Sequence, residues 1–155
     1  MTTERDSEQK EAGAATLEKE KESLFQLVKN MTVTEKMRFA LRCSKEGRTL
    51  LSHDPNRGVQ LALISNPHIT EAEVVIIAWS RESDQDVLRR ISENHEWVKH
   101  YPVRLGLAWN PKTPLLLVTR LLGTLMREDL SKIAKSKDVP VTVAHAARRL
   151  ILRKG

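Results

Sequence analysis

The stretch VQLALISNPHIT (residues 59–70) ends in Asn-Pro followed by a threonine, and the same arrangement recurs 44 positions later in VRLGLAWNPKTP (residues 103–114). Each stretch opens with an apolar segment that predicts a short helix. Proline disfavours the helical conformation in the residue before it, so Asn66 and Asn110 are predicted to end these two helices. The repeated Asn-Pro therefore indicates boundaries between successive helices of an array.

The threonines after the two Asn-Pro dipeptides are predicted to start the next helices. Thr70 has Glu73 three residues on, the spacing of a capping box. Thr113 is predicted to cap in the same way, with Pro114 at the first helical position, where a missing N–H costs nothing. The segment VVIIAW (residues 74–79) has strand propensity by itself. The capping box before it and the lack of a partner strand favour a buried helix.

A tripeptide of the type Ser or Asn, base, acid occurs three times, at residues 44–46, 94–96 and 136–138. Each copy follows a helix-like segment (EKMRFALRC, QDVLRRISE or EDLSKIAK) and precedes a proline and a helix that opens at valine. The valine helices start at Val59, Val103 and Val143, and three residues later stand the small residues Ala62, Gly106 and Ala146. Repeated units of this kind stack because one unit cannot bury its apolar face alone.

The N-terminal region differs from the repeats in composition. Residues 1–15 are charged and have no apolar periodicity, which predicts a disordered acidic tail. Residues 16–31 carry an apolar stripe, so we expect an N-terminal capping helix that starts at Thr16 and ends at Asn30. Residues 32–155 form the predicted repeat domain.

Units of 40–50 residues with two or three short helices each resemble the HEAT and armadillo-like repeat class. The stretch from Thr34 to Arg153, about three-quarters of the chain, is similar to a group of small bacterial HEAT-like repeat proteins without assigned activity. The matching motifs are SKEGR, HDPNRGVQLALISNPHIT, VRLGLAWNPKTP and SKDVPVTVAHAARR. The resemblance implies an all-α fold, a right-handed α-solenoid of about three repeats. The larger HEAT-like DNA glycosylases are a distant analogue, and none of their catalytic motifs is found in this sequence.

Composition bounds the compartment and the partners. The 155 residues suffice for one domain with a core, and the single cysteine fits a reducing compartment. The charged start does not resemble a secretory signal, and no apolar run reaches the roughly 18 residues of a membrane span. We therefore expect a cytoplasmic protein. The net charge of +6 divides into −3 over residues 1–22 and +9 over the remainder. A basic body favours polyanionic partners without choosing among nucleic acid, acidic protein segments and anionic membranes.

The residues that usually carry catalysis or bind metals are scattered. His95 and His100 do not share a helix face, and Cys43 has no nearby His or Cys companion, so neither a metal nor a cofactor is expected. Cys43 is predicted to be a buried structural thiol rather than a nucleophile. No serine lies in a nucleophile-elbow context, and the six glycines form no phosphate loop. We expect a protein that is not an enzyme.

The last helix is basic. RRLILRKG contains Arg148, Arg149, Arg153 and Lys154, and Arg104 in the second valine helix is expected to extend this stripe. Such groups would bind phosphates in a salt-dependent and largely sequence-independent way. The alternative is that a terminal repeat needs a polar outer face for solubility, which any charge would supply.

Other candidate partner-binding residues come from equivalent or partly exposed positions. Asn66 and Asn110 are equivalent, and armadillo-like proteins use rows of asparagine to hold an extended peptide; the alternative is that both only close a turn. Trp109, near a helix end, is expected to be partly exposed and able to stack on a ligand. The other tryptophans, including Trp79, are expected in the core. His145 is expected beside the core or on the concave surface.

The sequence therefore predicts a non-catalytic binding module. The first hypothesis is a protein-interaction scaffold whose concave face, lined by the valine helices, holds a peptide or another domain. The alternative is a protein that binds DNA or RNA through its basic surface.

Overall fold

The chain is described by a computed structural model from residue 2 to residue 154, with side chains from residue 4 onward. Within that range it is all-helical and contains no strand. The helices are α1 (Thr2–Lys29), α2 (Val33–Ala40), α3 (Lys45–Leu51), α4 (Arg57–Ile64), α5 (Glu71–Trp79), α6 (Gln85–Glu93), α7 (His95–Val98), α8 (Tyr101–Trp109), α9 (Leu115–Leu122), α10 (Arg127–Lys135) and α11 (Val141–Lys154). The all-α prediction is confirmed.

The segment at residues 74–79 is helical, as predicted. The Thr70 hydroxyl accepts from the backbone N–H of Glu73, and the Glu73 carboxylate accepts from the backbone N–H of Thr70. This capping box starts α5, and Val74 and Ile77 then face the core. The strand propensity of the β-branched residues is overridden because a helix lets them pack against α8.

The helices pack in three consecutive groups: α2–α4, α5–α8 and α9–α11. In each group the first helix packs on the last, so that α2 contacts α4, α5 contacts α8 and α9 contacts α11. The buried valines Val59, Val103 and Val143 each stand third in the last helix of a group. Contacts of α4 with α6 and of α8 with α9 join successive groups.

The capped helix starts align the three helix groups differently from the tripeptides. Thr32 forms a capping box with Glu35 at the start of α2, as Thr70 does with Glu73 at the start of α5. The equivalent first helices are therefore α2, α5 and α9, whereas the segments preceding the tripeptides correspond to α2, α6 and α10. The predicted alignment of the first copy with the other two was wrong by one helix. The T-x-x-E pattern, present at both positions, was the overlooked signal.

The start of α9 also differs from the prediction. Pro114, not Thr113, is the N-cap residue, and no side chain caps this helix. The Thr113 hydroxyl is buried without a hydrogen-bond partner among the described residues. Leu116 stands at the acid position of a capping box, so the reciprocal bond seen at Thr70 is missing as well.

The predicted disordered tail at residues 1–15 is corrected. Helix α1 runs from Thr2, while Met1 lies outside the described residues. Thr16 does not start a helix, and its hydroxyl donates to the carbonyl of Ala12 inside α1. The segment is rich in Glu, Lys, Gln and Ala, which favour helix without any tertiary packing. Helix α1 ends before Asn30, as predicted, where Val28 joins the core through the packing of α1 on α3.

Buried polar side chains tie the groups together. Gln60 of α4 donates to the carbonyls of Asp54 and Glu82 and accepts from the N–H of Asp84. Arg48 of α3, also buried, donates to the Glu73 carboxylate at 2.9 Å. The apolar core consists of two clusters, one from Val28 to Leu107 and one from Ala108 to Ala147, the second built around α9–α11.

Candidate functional site

Two helices of the last group expose both apolar and cationic side chains. We call this surface the C-terminal face; it consists of Leu115, Leu116, Thr119 and Arg120 of α9, and of His145, Arg148, Arg149, Leu152 and Arg153 of α11. The spacings of three and four residues within each helix place these side chains on one side. Leu116 is 66% exposed and Leu152 is 81% exposed. Exposed leucines on two neighbouring helices are typical of an interaction surface rather than of scattered surface residues.

An open groove of about 650 Å³ lies between α9 and α11. Its lining is Thr119, Ala146, Arg149, Leu150, Leu152 and Arg153. Alanine and leucine side chains supply the apolar part of the lining, and the two arginines supply the only charges in it. The groove can therefore accept apolar side chains and place carboxylates or phosphates at its rim.

The basic charge is concentrated in the part of the chain that forms this face. Residues 97–155 contain twelve Lys or Arg and three acids, net +9, whereas residues 1–96 contain fourteen Lys or Arg and seventeen acids, net −3. No acid occurs at residues 97–127 or 139–155. The net charge thus differs between residues 1–96 and residues 97–155. This division extends well beyond the acidic residues 1–22.

The cations of the C-terminal face are not neutralised by the protein. In the first two groups many bases pair with acids, for example Arg57 with Asp86 at 2.6 Å and Lys36 with Asp54 at 2.8 Å. Over residues 4–154, no carboxylate lies within 4 Å of the charged groups of Arg120, Arg148, Arg149 or Arg153. These guanidinium groups are free to bind an external anion.

Asn66 and Asn110, predicted as a possible peptide-holding row, are both buried, and this expectation is corrected. Asn110 Nδ2 donates to the carbonyls of Ala78 and Ser80, each at 2.8 Å, at the end of α5. Asn66 Nδ2 donates to the carbonyl of Ala40 at 2.9 Å, at the end of α2. Both amides thus hold the last helix of a group against the end of its first helix. Because both side chains are buried, neither amide is placed to hold an external peptide.

Lys154 makes the corresponding contact in the third group. Its Nζ donates to the carbonyls of Gly123 and Leu125, at 3.3 and 3.4 Å, just after α9. Lys154 was predicted to belong to the basic binding stripe, but part of its hydrogen-bonding capacity is used inside the chain. The contact recurs with a different side chain because α11, counted from its valine, extends five to six residues beyond the point where α4 and α8 end.

The prediction for Arg104 is also corrected. Its guanidinium is held by contacts within the chain and does not extend the basic stripe of α11. Its Nη1 donates to the carbonyls of Val98 and Lys99, at 2.7 and 2.9 Å, and its guanidinium lies 5.3 Å from the ring centre of Tyr101. The side chain is half-buried and closes the C-terminal end of α7, where a cation interacts favourably with the helix dipole. Its role is structural.

Trp109 is half-buried, as predicted, whereas Trp79 is 43% exposed instead of lying in the core. The two indoles stack with ring centres 6.4 Å apart. Trp79 lies directly over Gly106, where an added Cβ would come within 2.7 Å of the indole. Because each ring already packs on the other and on α8, this pair is engaged within the chain rather than open for stacking on a base.

His145 and Arg148 stand where the other groups have apolar residues. Counting from the buried valines, His145 corresponds to the half-buried Leu61, and Arg148 corresponds to the buried Ile64. The earlier residues face the next group, and no further group follows α11 in the described chain. The polar replacements fit a terminal outer face. Solubility alone does not account for Leu116 and Leu152, which are exposed on α9 and α11.

The structure places other reactive groups away from this face. Cys43 is buried, as predicted, and burial raises the pKa of its thiol above the usual 9.0. The Tyr101 hydroxyl donates to Asp129 and accepts from the N–H of Met126; burial, and then the hydrogen bond to Asp129, raises the pKa of Tyr101 above 10.0. Within residues 4–154, no three His, Cys, Asp or Glu side chains are grouped so that they could hold a metal ion.

Comparisons with protein-family models, curated proteins and solved structures gave no significant match. Among the helices at residues 2–154, none is both long and apolar enough to cross a membrane. The C-terminal face is therefore the candidate site on the strength of its own geometry and charge.

Proposed function

We propose that the chain is a non-catalytic binding module built as a right-handed α-solenoid of three HEAT-like units. Support comes from the three helix groups, from the equivalent capping boxes of α2 and α5, and from the recurring contact that Asn66, Asn110 and Lys154 make at the end of each group's first helix. The resemblance to bacterial HEAT-like proteins and the single buried cysteine fit a bacterial cytoplasmic protein.

The ligand that suits the C-terminal face is an acidic amphipathic helix of a partner protein. The observation that carries this is the groove between α9 and α11, in which Ala146, Leu150 and Leu152 provide apolar lining while Arg149 and Arg153 provide cations that pair with no carboxylate of residues 4–154. A helix docks in such a groove by burying apolar side chains at three- and four-residue spacing. Carboxylates on its flanks would then pair with the arginines, which gives orientation and faster association.

The first two valine helices, α4 and α8, do not provide the binding surface in this proposal, whereas the third, α11, does. Val59 and Val103 are fully buried, and five of the eight residues of α4 are buried. These helices form the interior of the stack. The proposed site therefore moves from the concave face expected from the sequence to the exposed end formed by α9 and α11.

The test is equilibrium binding of a fluorescent synthetic peptide of about 18 residues, long enough for five helical turns, with leucine along one face and glutamate elsewhere. One comparison peptide has lysine in place of glutamate, and another has serine in place of leucine. We expect only the first peptide to bind, and Arg149→Glu with Arg153→Glu to weaken it at least tenfold, about 1.4 kcal/mol. The matched control Lys137→Glu, an exposed base outside the groove, should not change binding. Equal binding of the leucine-glutamate and serine-glutamate peptides would contradict an apolar groove.

Nucleic-acid binding is the second candidate, favoured by the net charge of +9 over residues 97–155. The exposed leucines and the internally stacked tryptophans favour a protein ligand over it. A gel shift with duplex DNA and with single-stranded RNA, at about 50 and 200 mM salt, decides the matter. Binding that falls steeply with salt and is lost in the Arg149→Glu, Arg153→Glu variant would support this candidate. No shift at the lower salt concentration would reject it.

A further inference from the structure

Helix α1 carries an acidic stripe along its exposed part. Glutamates at positions 4, 8, 11, 18 and 22 are spaced by three, four and seven residues, which places them on one side of the helix. Ala15 and Phe25 complete the same side. Over residues 4–154, no Lys or Arg nitrogen lies within 4 Å of these carboxylates.

The helix projects from the body of the molecule. All residues from 4 to 23 are exposed, and α1 joins the core only at its C-terminal end, through Leu24 and Val28. Its exposed apolar side chains include Leu17, Phe25 and Leu27. The twenty exposed residues span about 30 Å, and the fourteen residues of α11 span about 21 Å, so α1 is long enough to cover the groove.

We infer that the occupant of the C-terminal face is helix α1 of a second copy of this chain. The inference rests on the proposed function and names its ligand. The stripe offers five carboxylates beside Ala15 and Phe25, and the groove offers Arg149 and Arg153 beside Leu150 and Leu152. The two surfaces are opposite in charge, and both carry apolar side chains.

Such an interface joins two different surfaces of the chain. Helix α1 packs on α3 at the N-terminal core cluster, and the groove belongs to the C-terminal cluster. Two copies that each place α1 in the other's groove form a closed twofold dimer. A copy that receives α1 from one neighbour and gives its own α1 to another extends an open chain or a ring.

The first measurement is sedimentation equilibrium of the whole protein at roughly 100 μM, a concentration at which weak interfaces assemble. We expect an average mass above the 17.7 kDa of one chain, which increases with concentration and falls when salt is raised from about 50 to about 500 mM. Arg149→Glu with Arg153→Glu (the groove variant) and Glu11→Lys with Glu18→Lys (the stripe variant) should each weaken association about tenfold. The controls Lys137→Glu and Glu20→Lys reverse charges outside the two surfaces and should associate as wild type does.

Mixing the two variants tests the polarity of the contact. The groove variant keeps a working α1, and the stripe variant keeps a working groove, so their mixture should form a capped dimer of twice the chain mass. A wild-type protein that stays at 17.7 kDa at low salt, or association that survives in both variants, overturns the inference. If the protein is monomeric but its groove binds the leucine-glutamate peptide, the proposed function stands and only the identity of the ligand is rejected. Association that nuclease treatment abolishes would assign the face to nucleic acid and would also overturn the inference.

Discussion

Replacing Asn110 by alanine tests how the helix groups are held together. Asn110 Nδ2 donates two hydrogen bonds of 2.8 Å, to the carbonyls of Ala78 and Ser80, and its Oδ1 accepts from the N–H of Lys112 at 3.1 Å. The last carbonyls of a helix have no partner within the helix. Alanine at position 110 leaves the Ala78 carbonyl without its donor in a site that is only 4% exposed at Asn110, while the Ser80 carbonyl still accepts from the N–H of Ser83 at 3.2 Å.

The cost follows from the groups left without partners. A buried polar group that loses its partner costs about 1–3 kcal/mol, so we expect Asn110→Ala to lower the free energy of unfolding by about 2 kcal/mol. The equivalent change Asn66→Ala should also cost about 2 kcal/mol, by the same reasoning. Its second acceptor, the carbonyl of Cys43, likewise keeps another donor, because it also accepts from Arg48 at 3.2 Å.

Urea unfolding followed by far-ultraviolet circular dichroism measures both changes, with an unchanged m-value as the sign that only stability has altered. Asn30→Ala, at an exposed site, is the control and should stay within about 0.5 kcal/mol of wild type. A loss below about 1 kcal/mol for either variant would refute the reasoning.

Three further outcomes follow from local geometry. Gly106→Ala places a Cβ 2.7 Å from the Trp79 indole and should destabilise by about 1–2 kcal/mol, with a red-shifted tryptophan emission as the ring moves into water. Thr113→Val removes a buried hydroxyl that has no partner and should be neutral or slightly stabilising, whereas Thr70→Val removes a cap and should cost about 1 kcal/mol in urea unfolding. Burial raises the pKa of Glu73, but hydrogen bonds from Thr70 and from the neighbouring guanidinium outweigh it and hold the pKa below 4.5. The stability that Glu73 contributes is therefore present above pH 4.5 and is lost as the pH falls below it, so Glu73→Gln should reduce the acid sensitivity of the urea midpoint.

Helix boundaries set by local backbone chemistry could be predicted from the sequence. Asn-Pro ends α4 and α8 because proline constrains the residue before it, wherever the segment lies in the fold. The capping box at Thr70 is equally local, since both partners lie within four residues. The prediction failed at Thr113, whose hydroxyl makes no capping bond, although Ser44 and Asn56 cap their helices without an acid three residues on.

The role of the buried asparagines could not be predicted. A side-chain amide that holds backbone carbonyls looks the same in sequence whether those carbonyls belong to a bound peptide or to this chain. The partners of Asn110 lie 32 and 30 residues earlier, and those of Asn66 lie 26 and 23 residues earlier. Only the packing of each group's first helix on its last brings them together.

The candidate site was half visible in the sequence. The cations at Arg148, Arg149 and Arg153 were recognised because charge is read directly from composition. The leucines at 116 and 152 were not, because an apolar residue at helical spacing predicts a core position as readily as an exposed one. Their exposure depends on how α9 and α11 pack against the rest of the chain, which is a property of the assembled fold.

The most direct test of the C-terminal face is to map where the leucine-glutamate peptide binds, by amide chemical-shift changes in the isotopically labelled protein. The account predicts the largest changes at α9 and α11, centred on Thr119, Ala146, Arg149 and Leu152. Changes confined to the cleft between α1 and α3, or to the exposed tryptophan at the end of α5, would contradict it.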